Sequence, residues 1–395
     1  MFSHSDLDYA QGTQLRAFAK AVNLKGRSKL KVKQLKDALR ATLPPRQTTS
    51  PGLFVELCAG TAAVSLQLHR EGAKPPVSRM GSKRGFAVAV LHALGLHPGL
   101  QADRYLWCEP DDGCRLLLET YRDHDLALKV ASIIRGWKDE DPRALWDRLR
   151  KEGAVKAPTP REVARWTLAL PGGAWTAMPP KAMYKGPGCH ASMEGTHKCT
   201  AVAARYEDQP TLHAEIKEEA VDPREVARWC YVQRDSNSSL PLREENGEWA
   251  PWWPVDGKLV QRGRVGREDG RYVSTDETLC ARLEDSPAVF AVITDKAVEP
   301  PLLPPNTVVY IDPPYVNTTG YKHNLPRKRV VELALAWYDA GAKVAISEQE
   351  AIPELIALGW TAVDITDKRL GQKRTFSNQQ KEYLTLSPGA QCSHL

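Results

Sequence analysis

The chain of 395 residues lacks several features that would assign it to a large class of proteins. No apolar run approaches the roughly 20 residues that cross a bilayer, and the residues after Met1 lack the basic and then apolar order of a signal peptide. The eight cysteines form no C-x-x-C pair, which favours reduced thiols over a disulfide framework. These absences predict a cytoplasmic protein with no membrane partner.

A basic amino-terminal region is the clearest feature of the charge pattern. Residues 1–50 hold ten Lys and Arg but only three Asp, whereas the rest of the chain has a net charge of −1. Apolar residues at helical spacing predict two short helices, at 15–22 and 32–43, with a turn at Gly26 between them. This pattern resembles the SAP-type DNA-binding motif, and we assign residues 1–45 to such a module. The alternative is a solvated basic hairpin that packs on the main domain.

An apolar strand, a turn of small residues and a helix are predicted over residues 53–66. The turn consists of Cys58, Ala59, Gly60 and Thr61. Such a turn brings backbone N–H groups close to a ligand, and the carboxylate of Glu56 near the strand end suits a cationic group. A nucleotide-binding dehydrogenase begins in a similar way, but the G-x-G-x-x-G series is absent here.

A second strand is predicted at residues 105–108, and acidic residues follow it. Glu109 comes directly after the strand and Asp111 two residues later. A carboxylate at this place can accept hydrogen bonds from both hydroxyls of a ribose, with Glu109 the first choice and Asp111 the second. The alternative is a helix cap followed by acidic residues in the first turn.

The tetrapeptide formed by Asp312, Pro313, Pro314 and Tyr315 follows the β-branched run at 307–311. Two prolines end a strand, so these groups would face whatever binds beyond its carboxyl end. They suit a planar base with an exocyclic amine. Asp312 and the Pro313 carbonyl can accept the two amine hydrogens, and Tyr315 can stack on the ring. The alternative is a proline-rich turn without such a role.

The sequence between about residues 155 and 300 consists of short segments rich in Pro, Gly and Trp. The heptapeptide Pro-Arg-Glu-Val-Ala-Arg-Trp occurs at 160–166 and again at 223–229, and both copies begin like a helix. Asn-Gly and Asp-Gly pairs predict hairpins at 246–247, 256–257 and 269–270. Four potential zinc ligands in this region are Cys189, His190, His197 and Cys199. Their spacing fits no common zinc finger, and we predict a glycine-rich loop rather than a metal site.

Together, residues 52–387 resemble the Dam-like (D12 class) DNA adenine-N6 methyltransferases. Residues 312–315 resemble that family's catalytic motif, and residues 54–60, which begin with Phe54, resemble its S-adenosylmethionine motif. Glu109 stands where the family has a ribose-binding acid, and Asp295 where an Asp meets the adenine of the cofactor. Residues 79–83, which end in Lys83, resemble the segment that holds the cofactor's carboxylate.

The resemblance implies an α/β fold with a Rossmann-like methyltransferase sheet. It divides the chain into a cofactor-binding half at 46–155, a target-recognition insert at 156–300 and a catalytic half at 301–395. S-adenosylmethionine is the implied cofactor and double-stranded DNA the implied partner, whereas no protein partner is predicted. Such an enzyme would methylate a flipped adenine at a specific site, as in restriction–modification systems or phages, near the nucleoid of a bacterial or phage-infected cell.

Within the insert, Arg and Trp side chains are the predicted readers of bases. They are Arg234, Arg243, Trp249, Trp252, Arg262 and Arg264. Three features depart from the family pattern: Ala62 replaces a usual glycine, Glu109 replaces a usual Asp, and the segment 79–83 follows the cofactor strand instead of preceding it. The alternatives are methylation of cytosine N4 or of RNA adenine, or a DNA-binding protein of this fold without activity.

Overall fold

The computed structural model describes most of residues 49–152 and 276–390 and parts of the other regions. The described residues are 7, 10–42, 49–77, 79, 81–152, 221–235, 242–245, 248–251, 276–295, 297–300, 303–316, 323–370 and 381–390.

The described residues form helices and strands in alternation. The strands are β1 (Phe54–Leu57), β2 (Tyr105–Cys108), β3 (Leu242–Glu245), β4 (Glu248–Pro251), β5 (Ala291–Thr294), β6 (Val308–Ile311), β7 (Lys343–Glu348), β8 (Thr361–Asp364) and β9 (Tyr383–Leu386). The α-helices are α1 (Gly12–Ala21), α2 (Val32–Arg40), α3 (Ala63–His69), α4 (Ala87–Ala93), α5 (Asp112–Arg122), α6 (His124–Gly136), α7 (Pro142–Lys151), α8 (Pro223–Asp235), α9 (Asp276–Glu284), α10 (Arg327–Asp339) and α11 (Pro353–Ile356). Short 3₁₀ turns lie at Arg27–Lys29, Lys83–Gly85 and Thr366–Lys368.

In the described part of the chain, seven strands form one open sheet in the order β5-β2-β1-β6-β7-β9-β8. The first five are parallel, and β9 runs antiparallel to both β7 and β8. The chain moves outward from β1 through β2 to β5 and then returns to β6, on the other side of β1. The topological switch point therefore lies between β1 and β6, where open α/β sheets form a ligand crevice at the carboxyl ends of the strands. This sheet agrees with the expected α/β class and is compatible with a Rossmann-like fold.

Both faces of the sheet are covered, which explains why β1, β2 and β6 are buried along their whole length and mostly apolar. Phe54, Trp107 and Tyr310 face a larger core that includes residues of α3 to α9. Val55 and Val309 face a second core that includes residues of α10 and α11. Alternate residues of each strand thus enter opposite cores, and only the strand ends are free to serve a ligand.

The two predicted amino-terminal helices are present as α1 and α2. Their shared core consists of Leu7, Leu15, Ala19, Leu35 and Leu39. Gly26 has a φ of 71° in the turn between them, a conformation that glycine adopts without strain. Arg40 donates to both carboxylate oxygens of Glu71, at 2.5 and 2.6 Å, and so links this module to the end of α3.

The second copy of the heptapeptide forms the start of α8, as predicted. Asp222 accepts a hydrogen bond from the Arg224 amide at 2.9 Å and so caps the helix. The first copy, at 160–166, and the predicted hairpins at 256–257 and 269–270 lie outside the described residues. β3 and β4 pair antiparallel on either side of residues 246–247, as the hairpin predicted at this position requires.

Two of the residues considered for base contacts in the insert have partners within the protein. Trp249 is buried and donates from its indole N–H to Glu225 at 2.8 Å, and Arg234 pairs with Asp276. Both side chains contribute to packing around α8. The side chain of Arg243 and all of Trp252, Arg262 and Arg264 lie outside the described residues.

Part of the range assigned to the insert belongs to the main domain. β5 pairs with β2 in the sheet, and residues of α8 and α9 share the larger core. Across the described ranges, no helix is both long and apolar enough to cross a membrane.

Candidate functional site

A cleft of about 810 Å³ opens at the carboxyl edge of the sheet, across the switch point between β1 and β6. Most of the predicted site residues line it. They are Glu56, Cys58, Ala59, Gly60, Thr61, Lys83, Glu109, Asp295, Asp312 and Pro314. Residues predicted from five separate stretches of sequence therefore meet in one place.

The turn after β1 has an unusual backbone. Cys58, Gly60 and Ala62 have φ angles of 63°, 54° and 48°, so every second residue lies in the left-handed region. For Ala62 this conformation costs about 1–2 kcal/mol relative to an ordinary helical one, which explains why a glycine is the expected residue there. The turn reverses the chain tightly, holds the Ala59 amide 2.9 Å from the Cys108 carbonyl of β2, and starts α3 at the edge of the cleft.

Glu56 lies beneath this turn and is held by the first turn of α3. It accepts hydrogen bonds from the Ser65 hydroxyl at 2.9 Å and from the Ser65 amide at 3.3 Å. Trp107 donates to the same hydroxyl at 2.8 Å. Burial raises the pKa of Glu56 to about 8, despite the bonds from Ser65 that lower it. The free protein thus keeps a neutral acid here at neutral pH, and a cationic ligand would favour its ionised form.

Glu109 at the end of β2 supports the turn directly. One carboxylate oxygen accepts from the Gly60 amide at 2.5 Å and the other from the Asp111 amide at 2.9 Å. Burial raises the pKa of Glu109, whereas Arg79 lowers it. Asp111, the second-choice acid, caps α5 through the Cys114 amide at 2.9 Å and pairs with Arg79 at 2.9 Å. Asp111 therefore forms the helix cap, whereas Glu109 lines the cleft and supports the turn after β1.

The segment at 79–83 reaches the cleft even though it follows β1 in the sequence. The Ser82 and Thr61 hydroxyls are 3.0 Å apart, so the segment packs on the turn after β1. The Lys83 side chain is only 9% exposed. It lines the cleft and is not a surface charge.

Lys83 lies close to three groups on the β6 side of the cleft. Its Nζ lies 2.8 Å from Asp312 Oδ1 and 3.7 Å from Glu382 Oε1, and 4.6 Å from the centre of the Tyr315 ring. The Tyr315 hydroxyl donates to Glu382. Two carboxylates thus share one ammonium group beneath the tetrapeptide.

Burial raises the pKa of Asp312 to about 7; Lys83 opposes this rise, and the nearby carboxylates of Glu382 and Glu348 add to it. Burial also raises the pKa of Tyr315 far above its ordinary value, so its hydroxyl stays protonated and can donate. A strand-end carboxyl that titrates near neutral pH within a cleft is typical of functional sites.

Three predicted residues do not line the cleft. Phe54 lies at the opposite, amino end of β1, fully buried in the larger core. Its side chain supports the strand, because the carboxyl edge is three residues further along. Pro313 is buried beneath the surface, and Tyr315 lies under Lys83.

Several residues at the site were not predicted. Glu382 is 1% exposed at the start of β9, and its neighbours in sequence give no signal of a site. Arg115 lines the cleft and donates to the carbonyls of Glu109 and Pro110 at 3.0 and 3.1 Å. Glu348, at the end of β7, accepts from Arg327 at 3.2 Å and from the Val316 amide at 3.4 Å, and so holds the chain just after Tyr315.

The cleft has more acidic than basic residues along its lining. The acids are Glu56, Glu109, Asp111, Asp112, Asp295 and Asp312, and the bases Arg79, Lys83, Arg115 and Arg329. In the described parts of the chain, no group of three or more His, Cys, Asp and Glu is arranged to hold a metal ion. Cys189, His190, His197 and Cys199 lie outside the described residues.

Comparison with known proteins does not assign the chain to a family. A scan against protein-family models found no match, and a search of curated proteins found no match to the chain.

Proposed function

We propose that the protein is an S-adenosylmethionine-dependent DNA adenine-N6 methyltransferase. One observation carries the proposal: the Asp312 carboxylate opens into the same cleft as the turn after β1 and Glu109. The cleft thus has a site suited to an amine on one side and a site suited to a ribose on the other. The resemblance of residues 54–60 and 312–315 to the family motifs supports the same assignment.

The charge of the cleft supports a cationic cofactor. Acidic residues outnumber basic ones along its lining, and a bound ammonium group would favour ionisation of Glu56, which is neutral in the free protein. The cleft with Glu56 ionised favours a cationic ligand over the pyrophosphate of a dinucleotide. Glu109 would hold the ribose, Asp295 the adenine and Glu56 the ammonium group of S-adenosylmethionine. When bound, this cofactor supplies a methyl group that its sulfonium already activates.

The residues of the β6 side would act on the target amine. Adenine N6 is a poor nucleophile because its lone pair is delocalised into the ring. Asp312 and the Pro313 carbonyl would accept hydrogen bonds from the two N–H groups of this amine and so localise the lone pair on nitrogen. Positive charge develops on the nitrogen during transfer, and the Asp312 carboxylate stabilises that charge more than the neutral amine.

An adenine inside a duplex is out of reach, so the base must leave the stack at a cost of a few kcal/mol. The amino-terminal module offers a surface for the surrounding phosphates. Its exposed cations are Arg16, Lys20, Lys25, Lys29, Lys31 and Lys33, whereas Asp37 is the one acid of the described part of the module. Such a surface would raise affinity for DNA without specifying a sequence.

The decisive experiment combines cofactor binding with transfer. The purified full chain is titrated with S-adenosylmethionine and then incubated with methyl-labelled cofactor and mixed-sequence DNA, after which the modified positions are mapped. We expect binding and label on adenine N6 at one short sequence. Label on cytosine N4, or on RNA alone, would reassign the substrate, and absence of cofactor binding would favour a DNA-binding protein without activity.

Deletion of residues 1–45 tests the role of the module. The truncated protein should bind DNA with a flatter dependence on salt concentration and should methylate the same sequence, because fewer phosphate contacts are made. Salt-dependent binding to one duplex, measured for both proteins, checks this. An unchanged slope would contradict the role of the module in DNA binding.

A further inference from the structure

Glu382 is a buried acid that the proposed reaction does not yet use. Its carboxylate accepts a hydrogen bond from the Tyr315 hydroxyl and lies 3.7 Å from the Lys83 ammonium group. That ammonium group in turn lies 2.8 Å from Asp312. The Glu382 side chain is only 1% exposed. A buried carboxylate between an aromatic hydroxyl and a cation, directly beside the strand-end acid, has an arrangement that packing alone does not require.

The backbone around Glu382 is fixed on both sides. Its amide donates to the Thr366 hydroxyl at 2.9 Å, and its carbonyl accepts from the Ile365 amide at 2.8 Å. β9 then continues between β7 and β8. The carboxylate is therefore presented by a rigid element, as a group that positions others must be.

We propose that Glu382 is a positioning residue for the target-base pocket: it anchors Tyr315 through the hydroxyl and shares Lys83 with Asp312. The inference rests on the proposed function, since the pocket it serves is the one for the flipped adenine. Two separate effects follow from the geometry, one on the aromatic ring and one on the acid.

The first effect concerns the ring of Tyr315. Lys83 Nζ covers one face of this ring, 4.6 Å from its centre, so a flipped base would have to displace Lys83 or stack on the other face. In either case stacking gains most when the ring is already fixed, because less conformational entropy is lost on binding. The bond from its hydroxyl to Glu382 fixes the far end of the ring, and the Val316 amide, at 3.4 Å from Glu348, helps to fix the chain that follows. Removal of the hydroxyl should weaken base binding and leave cofactor binding unchanged.

The second effect concerns the charge of Asp312. If Lys83 had no second carboxylate nearby, it would neutralise Asp312 alone and compete with the amine of the base for the same oxygens. Glu382 draws part of this positive charge to itself, so Asp312 keeps its capacity to accept from the target amine. The charged or titratable groups that face Asp312 are Lys83 before α4, Glu56 on β1, Cys58 after β1, Tyr310 on β6, Tyr315 after β6, Glu348 on β7 and Glu382 before β9.

Substitutions of Glu382 and of Lys83 should shift the pKa of Asp312 in opposite directions. The neighbouring Glu382 carboxylate raises the pKa of Asp312 and Lys83 lowers it. The variant Glu382→Gln keeps an oxygen for the Tyr315 hydroxyl but loses the charge, so it should lower the pKa of Asp312. The variant Lys83→Met should raise it, and Tyr315→Phe should shift it least.

The test is a ¹³C NMR titration of the carboxyl groups of aspartate-labelled protein, with the Asp312 signal assigned by its loss in Asp312→Asn. The control is Glu350→Gln, at an exposed acid two residues after β7. The proposal expects the two opposite shifts in Glu382→Gln and Lys83→Met and none in the control. An Asp312 titration that is the same in wild type and Glu382→Gln would overturn it, and this readout needs no transfer of a methyl group.

Kinetics of methyl transfer then separate this inference from the proposed function. For Glu382→Gln we expect kcat to fall by roughly tenfold, the effect of losing one good interaction, while the acid limb of the pH profile moves to lower pH and cofactor affinity is unchanged. A wild-type protein that transfers no methyl group would refute the proposed function, whereas wild-type transfer with an unchanged kcat and pH profile in Glu382→Gln would refute only the role of Glu382.

Discussion

The two sides of the cleft hold their acids in different ways. At the ends of β1 and β2, Glu109 is bound by the backbone amides of Gly60 and Asp111, and Glu56 by Ser65. At the end of β6, Asp312 and Glu382 share the one ammonium group of Lys83. Backbone amides and Ser65 fix the first pair through hydrogen bonds, whereas the ammonium group of one side chain holds the second.

This difference suits the tasks proposed for the two sides. Backbone amides keep a carboxylate in place whether or not a ligand is bound, so the ribose side is pre-organised. A shared ammonium group can instead be redistributed when a new hydrogen-bond donor arrives, so the amine side can respond to its substrate. We expect substitutions on the first side to change cofactor affinity, and on the second side to change transfer.

The largest effect is expected for Asp312→Ala. Transfer should fall by at least roughly 10²–10³-fold, as when a preorganised electrostatic group is removed, while S-adenosylmethionine binding persists. Label transfer and calorimetry measure the two quantities separately. The matched control is Asp339→Ala, at an exposed acid at the end of α10, and substantial residual transfer in Asp312→Ala would remove this residue from the mechanism.

Glu109→Ala tests the other side. Loss of the carboxylate should weaken cofactor binding roughly 10–100-fold, since it removes the ribose contact and frees the Gly60 amide, and transfer at saturating cofactor should change far less. Asp103→Ala is the control, because this exposed acid lies just before the other end of the same strand. Equal losses of cofactor affinity in Glu109→Ala and Asp312→Ala would erase the distinction between the two sides of the cleft.

Much of the site could be predicted from the sequence because its acids follow parallel strands. Glu109, Asp295 and Asp312 each come directly after an apolar run, and the carboxyl ends of parallel strands meet at one edge. Glu382 could not be predicted in this way. It lies at the amino end of β9, and it reaches the same edge only because β9 runs antiparallel to β7, an orientation that the apolar pattern does not reveal.

Lys83 and Phe54 also show that local sequence does not decide which side chains reach the cleft. Lys83 lies in a 3₁₀ turn far from any strand end, and only tertiary packing brings it to Asp312. Phe54 belongs to a motif that resembles a cofactor-binding segment, yet it begins the strand and enters the core. Motif membership indicated a segment that reaches the cleft, whereas the period of the strand decided which of its side chains enter the core.

The rigidity of the first side can be tested by packing at the start of α5. A Cβ atom on Gly113 would lie 1.8 Å from the indole nitrogen of the buried Trp229 of α8. Gly113→Ala should therefore lower the free energy of unfolding by about 1–3 kcal/mol and weaken cofactor binding, because α5 carries Asp111 at its cap. Gly136→Ala, at a helical glycine with no neighbouring atom within 4 Å, should instead raise stability by up to about 1 kcal/mol. Chemical denaturation of both variants measures the difference, and equal stabilities would contradict close packing at Gly113.

The smallest expected effect is the pH dependence of cofactor binding, and it tests the role of Glu56. Burial raises the pKa of this carboxyl to about 8 in the free protein, so a cationic ligand that pairs with it must displace a proton at neutral pH. The ionised fraction grows as the pH rises toward this value, and affinity should therefore increase by up to roughly tenfold between pH 6 and pH 7, below the range near pH 8 in which an α-amino group loses its own proton. Calorimetry in two buffers of different ionisation enthalpy should detect the released proton.

In Glu56→Gln both the proton release and this increase should disappear. An increase that survives the substitution would move the coupling to Asp312, whose pKa of about 7 would place the change at lower pH and on the other side of the cleft.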